Sequence, residues 1–300
     1  MKIIIFGGAG FIGSALLQLL HSQGHSVTCV DNFITGKKEN LIQGLPCFDV
    51  DITDISNFDR IDFNPDVVVH LAFPTSLCDR NIRNQYEDIT SSGMLNILEY
   101  TRKTCNQIIY GSSISVYGVP GDAIITEDTL ISPVLLYGAN KYLGELYTKA
   151  FHDQFGLQYN IIRISDTFGE RDLRNNAVNN FIKAFLYDTP ITVTGDGEQL
   201  RTYTYVHDMA NAIALSTSRL TNGTFNVAAK DAISINGLID KLHYLFQKKI
   251  NIQYQPEKKD YRNYIFDCSS FRFTFGDFEI SGLDEGLKRT IEYLKGLYQI

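Results

Sequence analysis

The chain has 300 residues, 44% of them hydrophobic and 20% charged, the balance of a folded globular protein rather than a disordered one. A formal charge of −7 argues against a general nucleic-acid or acidic-membrane binder, which needs a basic footprint, but leaves room for one local basic pocket for a diphosphate. At this length roughly three quarters of the unfolded surface can be buried, so no disulfide or metal staple is required.

Lys2–Phe6 (KIIIF) is a continuous apolar run, expected as a strand buried on both faces. Phe11–Leu20 repeats apolar residues at helical spacing, with Gly24 as a stop. Ser26–Val30 and Pro46–Val50 read as the second and third strands. Asp66–Leu71 (DVVVHL) is a fourth, followed by a long helix ending near Lys103. Gln107–Gly111 is a fifth strand, Tyr137–Phe155 a helix and Tyr159–Ile164 a sixth strand. Repeated β–α–β units predict an α/β fold with a Rossmann-type, doubly wound parallel sheet and right-handed crossovers.

After Ser165 the alternation weakens. A helix is expected near Val178–Leu186, a strand at Ile191–Val193, a helix from His207 and a strand at Thr224–Val227. Further helices are expected to begin near Ser234 and Asp284. The organisation expected is a first domain over 1–165 and a smaller, partly interleaved α/β domain over 166–300, whose chain crosses back to the first.

Cys29, Cys47, Cys78, Cys105 and Cys268 stand singly, with no C-x-x-C, as reduced thiols of a cytoplasmic protein do. His21 and His25 flank the helix stop at Gly24, so no metal site is expected. Glycines at 7, 8, 10 and 13 break the apolar start, which therefore does not read as a signal peptide. No stretch approaches ~20 uninterrupted apolar residues, and no membrane span is expected.

The first strand runs into Gly7-Gly8-Ala9-Gly10-Phe11-Ile12-Gly13 and then a helix. Glycine permits the tight turn, lets the backbone approach a pyrophosphate and lets the helix pack close to the strand. The helix N-terminus offers free N–H groups and a positive dipole end. Asp31 ends the next strand. Its carboxylate would accept from ribose hydroxyls and repel a 2′-phosphate, so the dinucleotide expected is NAD rather than NADP. Asp51 and Ile52 follow the third strand, where an adenine would lie; helix capping by Thr53 or Asp54 is an equal reading there.

Tyr-x-x-x-Lys places a phenol and an ammonium on one helical face. It occurs three times, at Tyr137/Lys141, Tyr244/Lys248 and Tyr254/Lys258, so the pattern alone decides nothing. Context selects Tyr137, which follows the fifth strand and the serine pair Ser112 and Ser113 at its end. Ligands of open α/β sheets bind at the carboxyl ends of strands. A phenol is a poor base at neutral pH with its pKa of ~10. A neighbouring ammonium and an oxidised nicotinamide would favour the phenolate, and Ser113 would hold the reacting hydroxyl.

The stretches GGAGFIG (7–13), VDNFITG (30–36), HLA (70–72), SSISVYG (112–118), YGANK (137–141), GDGEQLRTYTYVHD (195–208) and FNVAA (225–229) resemble the extended short-chain dehydrogenase/reductase family, in its nucleotide-sugar epimerase/dehydratase branch. The resemblance runs from residue 1 to about 290. It implies an NAD-binding first domain, a nucleotide-sugar-binding second domain, and a catalytic Ser113, Tyr137 and Lys141. The cofactor contacts it implies are Gly7, Gly10, Phe11, Ile12, Gly13, Asp31, Asn32, Asp51, Ile52, Leu71, Ala72, Tyr137 and Lys141. The substrate contacts it implies are Ser113, Asp166, Arg201 and Arg262, the two arginines holding the diphosphate.

The partner implied is a nucleotide-diphosphate sugar, with a UDP-sugar favoured. Sugar 4,6-dehydratases carry Asp-Glu after the serine; Ile114 and Ser115 stand there instead, and SSISVYG looks like a C4-epimerase. The chain departs from the family at Asp166 and Glu170, where epimerases usually have Asn and Pro, and at Thr90 and Thr202. Asp166 is unusual opposite an anionic ligand unless a cation such as Arg171 or Arg174 pairs with it. The helices around 88–103 and 137–155 resemble the pair that forms a homodimer interface in this family. Side chains such as Met94, Leu95 and Leu98 are as readily explained by packing on the sheet. The competing readings are a nucleotide-sugar reductase or dehydrogenase and a non-catalytic NAD-binding sensor.

Overall fold

Successive residues of β1 (Lys2–Phe6) are buried on opposite faces of a sheet. Ile3 and Ile5 join one apolar layer with Val27, Val67 and Val69, while Ile4 and Phe6 join the other with Val30, Val68 and Ile108. A strand alternates its side chains between faces, so an unbroken apolar run is what a sheet covered on both sides requires. Each such buried side chain contributes roughly 1.5–3 kcal/mol relative to exposure. The computed structural model describes residues 1–74, 88–119, 121, 124–256 and 263–299.

The first half continues with α1 (Phe11–Ser22), β2 (Ser26–Asp31), β3 (Cys47–Asp49), β4 (Val67–His70), α2 (Met94–Thr104), β5 (Gln107–Ser113), α3 (Leu136–Phe155) and β6 (Gln158–Ile164). The second half holds four short strands, β7 (Thr167–Phe168), β8 (Ile191–Thr194), β9 (Leu200–Arg201) and β10 (Thr204–Tyr205). With them come α4 (Ala177–Tyr187), α5 (Val206–Thr217), β11 (Gly223–Val227), β12 (Ile233–Ser234) and α6 (Ile235–Phe246). The last described elements are β13 (Ile252–Gln255), α7 (Ser269–Phe275) and α8 (Gly282–Tyr298).

Seven parallel strands form one sheet in the order β11-β6-β5-β4-β1-β2-β3. The chain builds outward from β1 in one direction through β2 and β3, then returns to its other side through β4, β5 and β6. That reversal opens a crevice at the carboxyl ends of β1 and β4, where doubly wound sheets bind ligands. β11 brings the chain of the second half back to the sheet, against β6. α5 packs on α1 across the same layer.

β5 extends two residues beyond the Gly111 limit read from the sequence. Ser112 pairs with Arg163 and Ser113 with Ile164 along β6, which carries the ladder through the serines. β8 covers the strand expected at Ile191–Val193, whereas α7 and β13, its parallel partner, were not signalled by periodicity. α7 and β13 are short and are held by distant partners: Phe271 of α7 packs on Phe225 and Phe278, and Ile252 of β13 lies opposite Ile191. Among the described residues no helix is long and apolar enough to cross a membrane. Cys29, Cys47, Cys105 and Cys268 are free thiols, and Cys78 lies outside the described residues.

Candidate active site

A cleft of about 820 Å³ lies at the crevice, lined by the loop after β1, the ends of β2, β4 and β5, the start of α3 and the segment after β6. Its floor is the glycine loop. Gly7 has φ +83°, and a Cβ there would stand 2.6 Å from the Ala72 nitrogen. Gly10 N–H donates to the Gly7 carbonyl at 3.1 Å. A Cβ on Gly13 would overlap that same carbonyl, so only glycine lets α1 start this close to the strand. Gly10 caps α1 without a side-chain hydrogen bond, and no acidic residue occupies the first turn. Gly10, Phe11, Ile12 and Gly13 line the cleft there, leaving helix N–H groups and the positive dipole end for an anion.

Asp31 is 8% exposed at the end of β2. It accepts from Ala9 N–H at 3.0 Å and Phe33 N–H at 2.9 Å. Burial pushes its carboxyl up, and these two N–H groups pull it back down. Asp31 therefore ties the glycine loop to the next strand, a task that sequence reasoning did not assign to it. Asn32, Ile52, Leu71 and Ala72 also line the cleft. Asp51 turns back instead, accepting from Thr53 N–H at 2.9 Å and Thr53 Oγ1 at 2.8 Å. The local cap is Asp54, which accepts from Ser56 N–H at 3.0 Å at the start of a 3₁₀ turn over Ile55–Arg60.

Ser113 ends β5 and caps the turn Ile114–Tyr117, accepting from Ser115 N–H at 3.2 Å. Its hydroxyl donates to Ser115 Oγ at 3.2 Å. Tyr137 lies in the first turn of α3 and Lys141 one turn later, on the same face. A Cβ on Gly138 would collide with the Ser115 carbonyl, so this glycine lets the head of α3 press against the serine turn. Burial pushes the Tyr137 phenol up, while Ser113 and the Arg174 charge pull it down and Asp166 pushes it up. Lys141 is 4% exposed, and its ammonium donates to the Gly111 carbonyl at 2.8 Å. Burial alone pulls its pKa down to about 7. Tyr244 and Tyr254 are exposed in the second half, away from the cleft lining.

Asp166 follows β6 and opens into the cleft. The protein around it raises its carboxyl, against the lowering pull of Arg201 and Arg174. Of the two nearby arginines in sequence, Arg174 is the one that reaches the cleft. Its guanidinium is gripped by Asp172 at 2.7 and 3.0 Å and by the Thr167 carbonyl at 2.8 Å, 5.1 Å from the Phe11 ring. Arg171 instead donates to the Asn40 carbonyl at 3.3 Å. Arg201 lines the cleft, 4.9 Å from the Tyr264 ring. Arg262 lies outside the described residues. Of the other departures, Glu170 accepts from Tyr205 Oη at 2.8 Å and Thr202 donates to the Tyr264 carbonyl at 2.9 Å. Thr90 is buried in the π-helical turn Ile89–Gly93 before α2.

One turn beyond Lys141, Glu145 is wholly buried. It accepts from Ser112 Oγ at 2.6 Å and from Arg163 Nε at 3.0 Å and Nη2 at 2.8 Å. Arg163 also donates to Tyr117 Oη at 2.7 Å, and Tyr117 donates to Asn226 Oδ1 at 2.6 Å. This network clamps α3 to β5, β6 and β11 directly beneath Ser113. The sequence carried a signal for it: Arg163 interrupts the apolar run of β6, and a buried charge needs a partner. Among the described residues no cluster of His, Cys, Asp and Glu is arranged to hold a metal.

Residues 3–228 match the NAD dependent epimerase/dehydratase family. The chain is 32% identical to a putative UDP-glucose 4-epimerase of Methanocaldococcus jannaschii, over 98% of each chain. It is 29% identical to UDP-glucuronic acid decarboxylase 1 of Danio rerio, over 97% of this chain and 72% of that one. The crystal structure of UDP-glucose 4-epimerase with UDP-glucose from Thermotoga maritima superposes with a TM-score of 0.90 at 29% identity, covering 99% of this chain and 100% of that one. With the glycine loop, the Asp31 anchor and the Ser113, Tyr137 and Lys141 group in one cleft, the chain belongs to the NAD dependent epimerase/dehydratase family.

Proposed function

We propose that the protein epimerises a UDP-sugar at C4 through a 4-keto intermediate. The observation that carries this reading is the gathering of Ser113, Tyr137 and Lys141 at the cleft that holds the glycine loop, with Ile114 and Ser115 after Ser113 where an eliminating enzyme would need an acid and a base.

NAD fits the cleft. The spaces that a Cβ at Gly7 or Gly13 would fill are already tight, so the backbone itself forms the cradle, and Asp31 keeps acceptor capacity for a ribose. Bound there, it supplies reversible oxidation at C4. Tyr137, as phenolate, removes the proton of the C4 hydroxyl and later returns it. Ser113 hydrogen-bonds that hydroxyl and orients it. Lys141 carries the positive charge that favours the phenolate. Inversion requires the keto sugar to turn over within the pocket while the nucleotide stays fixed, so binding is concentrated on the diphosphate. Arg201 and Arg262 are assigned to that diphosphate, and Asp166 to the junction between it and the sugar. The first and second halves of the chain, 1–165 and 166–300, take the cofactor and the nucleotide sugar respectively.

A second reading rests on the decarboxylase relative. A C4 ketone is β to the carboxylate of a uronic acid, so the same oxidation would labilise carbon dioxide. Incubation with UDP-glucose, UDP-N-acetylglucosamine and UDP-glucuronate, followed by NMR, separates the two. A C4 epimer is expected; release of carbon dioxide from UDP-glucuronate with no epimer would replace this reading by decarboxylation. A homodimer through α2 and α3 is also proposed. Met94 and Leu98 are spent on the sheet, but Leu95 and Leu146 stay exposed. Light scattering at micromolar concentration should give twice the mass of one chain; a single-chain mass would contradict the dimer.

A further inference from the structure

Lys141 has an unusual set of neighbours for a buried ammonium. Its Nζ stands 4.4 Å from the centre of the Phe73 ring, 5.4 Å from Tyr110 and 5.9 Å from Tyr137. Its one hydrogen-bond acceptor among the described residues is the Gly111 carbonyl, and no carboxylate pairs with it. Phe73 also meets Tyr137 edge to face, with centroids 5.5 Å apart and planes at 72°. One ring thus touches both members of the reacting pair. It sits three residues past β4, on the wall of the cleft.

We propose that Phe73 is a positioning residue of the reaction, its face holding the Lys141 ammonium in the charged form and its T-shaped contact fixing the Tyr137 ring. The proposal rests on the reading of Tyr137 and Lys141 as the reacting pair. A ring face attracts a cation through its quadrupole, most strongly where water is excluded. Burial works against the Lys141 charge, and with no carboxylate near it among the described residues, the rings and one carbonyl oppose it.

The other groups around Lys141 do not take over this task. His70, on β4, is fully buried and held neutral, its pKa pulled down to about 3 by burial and by Lys141 itself. Tyr110, on β5, is pushed well up by burial and stays a neutral phenol that donates to the Lys141 carbonyl at 3.2 Å. Tyr137 shares α3 with Lys141, and Asp166 and Arg174 bear on Tyr137 from the segment after β6. Glu145 is committed to Arg163 and Ser112.

Phe73→Leu keeps an apolar side chain and removes the ring; Phe73→Tyr keeps the ring. The test is the titration of Lys141, read by NMR of protein labelled at lysine Cε and assigned with Lys141→Met, without substrate. Removing the ring favours the neutral amine, so the Lys141 midpoint should fall by about one pH unit in Phe73→Leu and return in Phe73→Tyr. In the pH profile of kcat, the alkaline limb should then move to lower pH in Phe73→Leu, because the ammonium is lost earlier as pH rises. An unchanged Lys141 midpoint in Phe73→Leu overturns the proposal even if Tyr137→Phe is inactive. A shifted midpoint with an active Tyr137→Phe would keep the cation–ring contact and overturn the positioning role together with the mechanism.

Discussion

Lys141 and Arg163 are the two buried cations among the described residues, at 4% and 3% exposure, on neighbouring elements of the same sheet end. Their surroundings are opposite. Arg163 meets the carboxylate of Glu145 through two donors and adds Tyr117. Burial works against its charge, but Glu145 outweighs that and holds the guanidinium above its ordinary value. Lys141 meets ring faces and a carbonyl, and its pKa falls to about 7. A compensated buried charge is fixed and structural; an uncompensated one remains able to exchange its proton at neutral pH. The clamp and the proposed reacting group lie one helical turn apart, and the first holds the strand and helix that carry the second.

The sharpest way to break this comparison is to neutralise each cation in turn. Arg163→Met leaves Glu145 buried without its partner and should lose ~3–5 kcal/mol of stability in denaturant unfolding. Lys141→Met removes a charge that no carboxylate among the described residues compensates and should lose little or gain. The pH dependence follows the same logic. Unfolded, Lys141 titrates near its ordinary 10.5; folded, near 7. Between those values the unfolded chain binds more protons, so the burial penalty, fully present below pH 7, is relieved as pH rises. Lys141→Met should lack that rise in stability. Equal losses in the two variants would erase the distinction between clamp and reactive group.

A smaller effect in free energy, though large in rate, is expected at the phenol. Tyr137→Phe should retain fold and NAD binding and lose at least ~100-fold in turnover, whereas Tyr244→Phe, on an exposed face, should leave turnover unchanged. Steady-state kinetics of both variants check this, and near-normal turnover in Tyr137→Phe would remove the proton-transfer role.

The same contrast explains what could be read from the sequence. The glycine loop, Asp31, Ser113 and the Tyr137/Lys141 pair are spaced by local rules, strand to turn to helix, and so are legible in one dimension. The seven-stranded sheet follows from its apolar runs. The Glu145–Arg163 clamp was legible only by half: Arg163 stands out in an apolar strand, but its partner is 18 residues away in sequence and meets it only once β5 and β6 pair. Phe73 was hidden for a related reason: one aromatic residue after a strand gives no sign of the helix face it will meet. Asp31 was read as a ribose acceptor, but its bonds to Ala9 and Phe33 depend on how the loop folds back on β2. Asp166 stood out by type, with Arg171 or Arg174 named as its cation; the fold chooses Arg174, adds Arg201 and turns Arg171 to Asn40.

The most direct measurement uses a UDP-sugar carrying deuterium at C4. Epimerisation within one site removes the label and returns it to the same carbon on the opposite face. The product should therefore retain deuterium at C4, with no more than one equivalent of reduced cofactor per active site. A reductase would consume cofactor in proportion to product, and a sensor would form no isomer. Label lost to solvent, or stoichiometric cofactor consumption, would contradict C4 epimerisation.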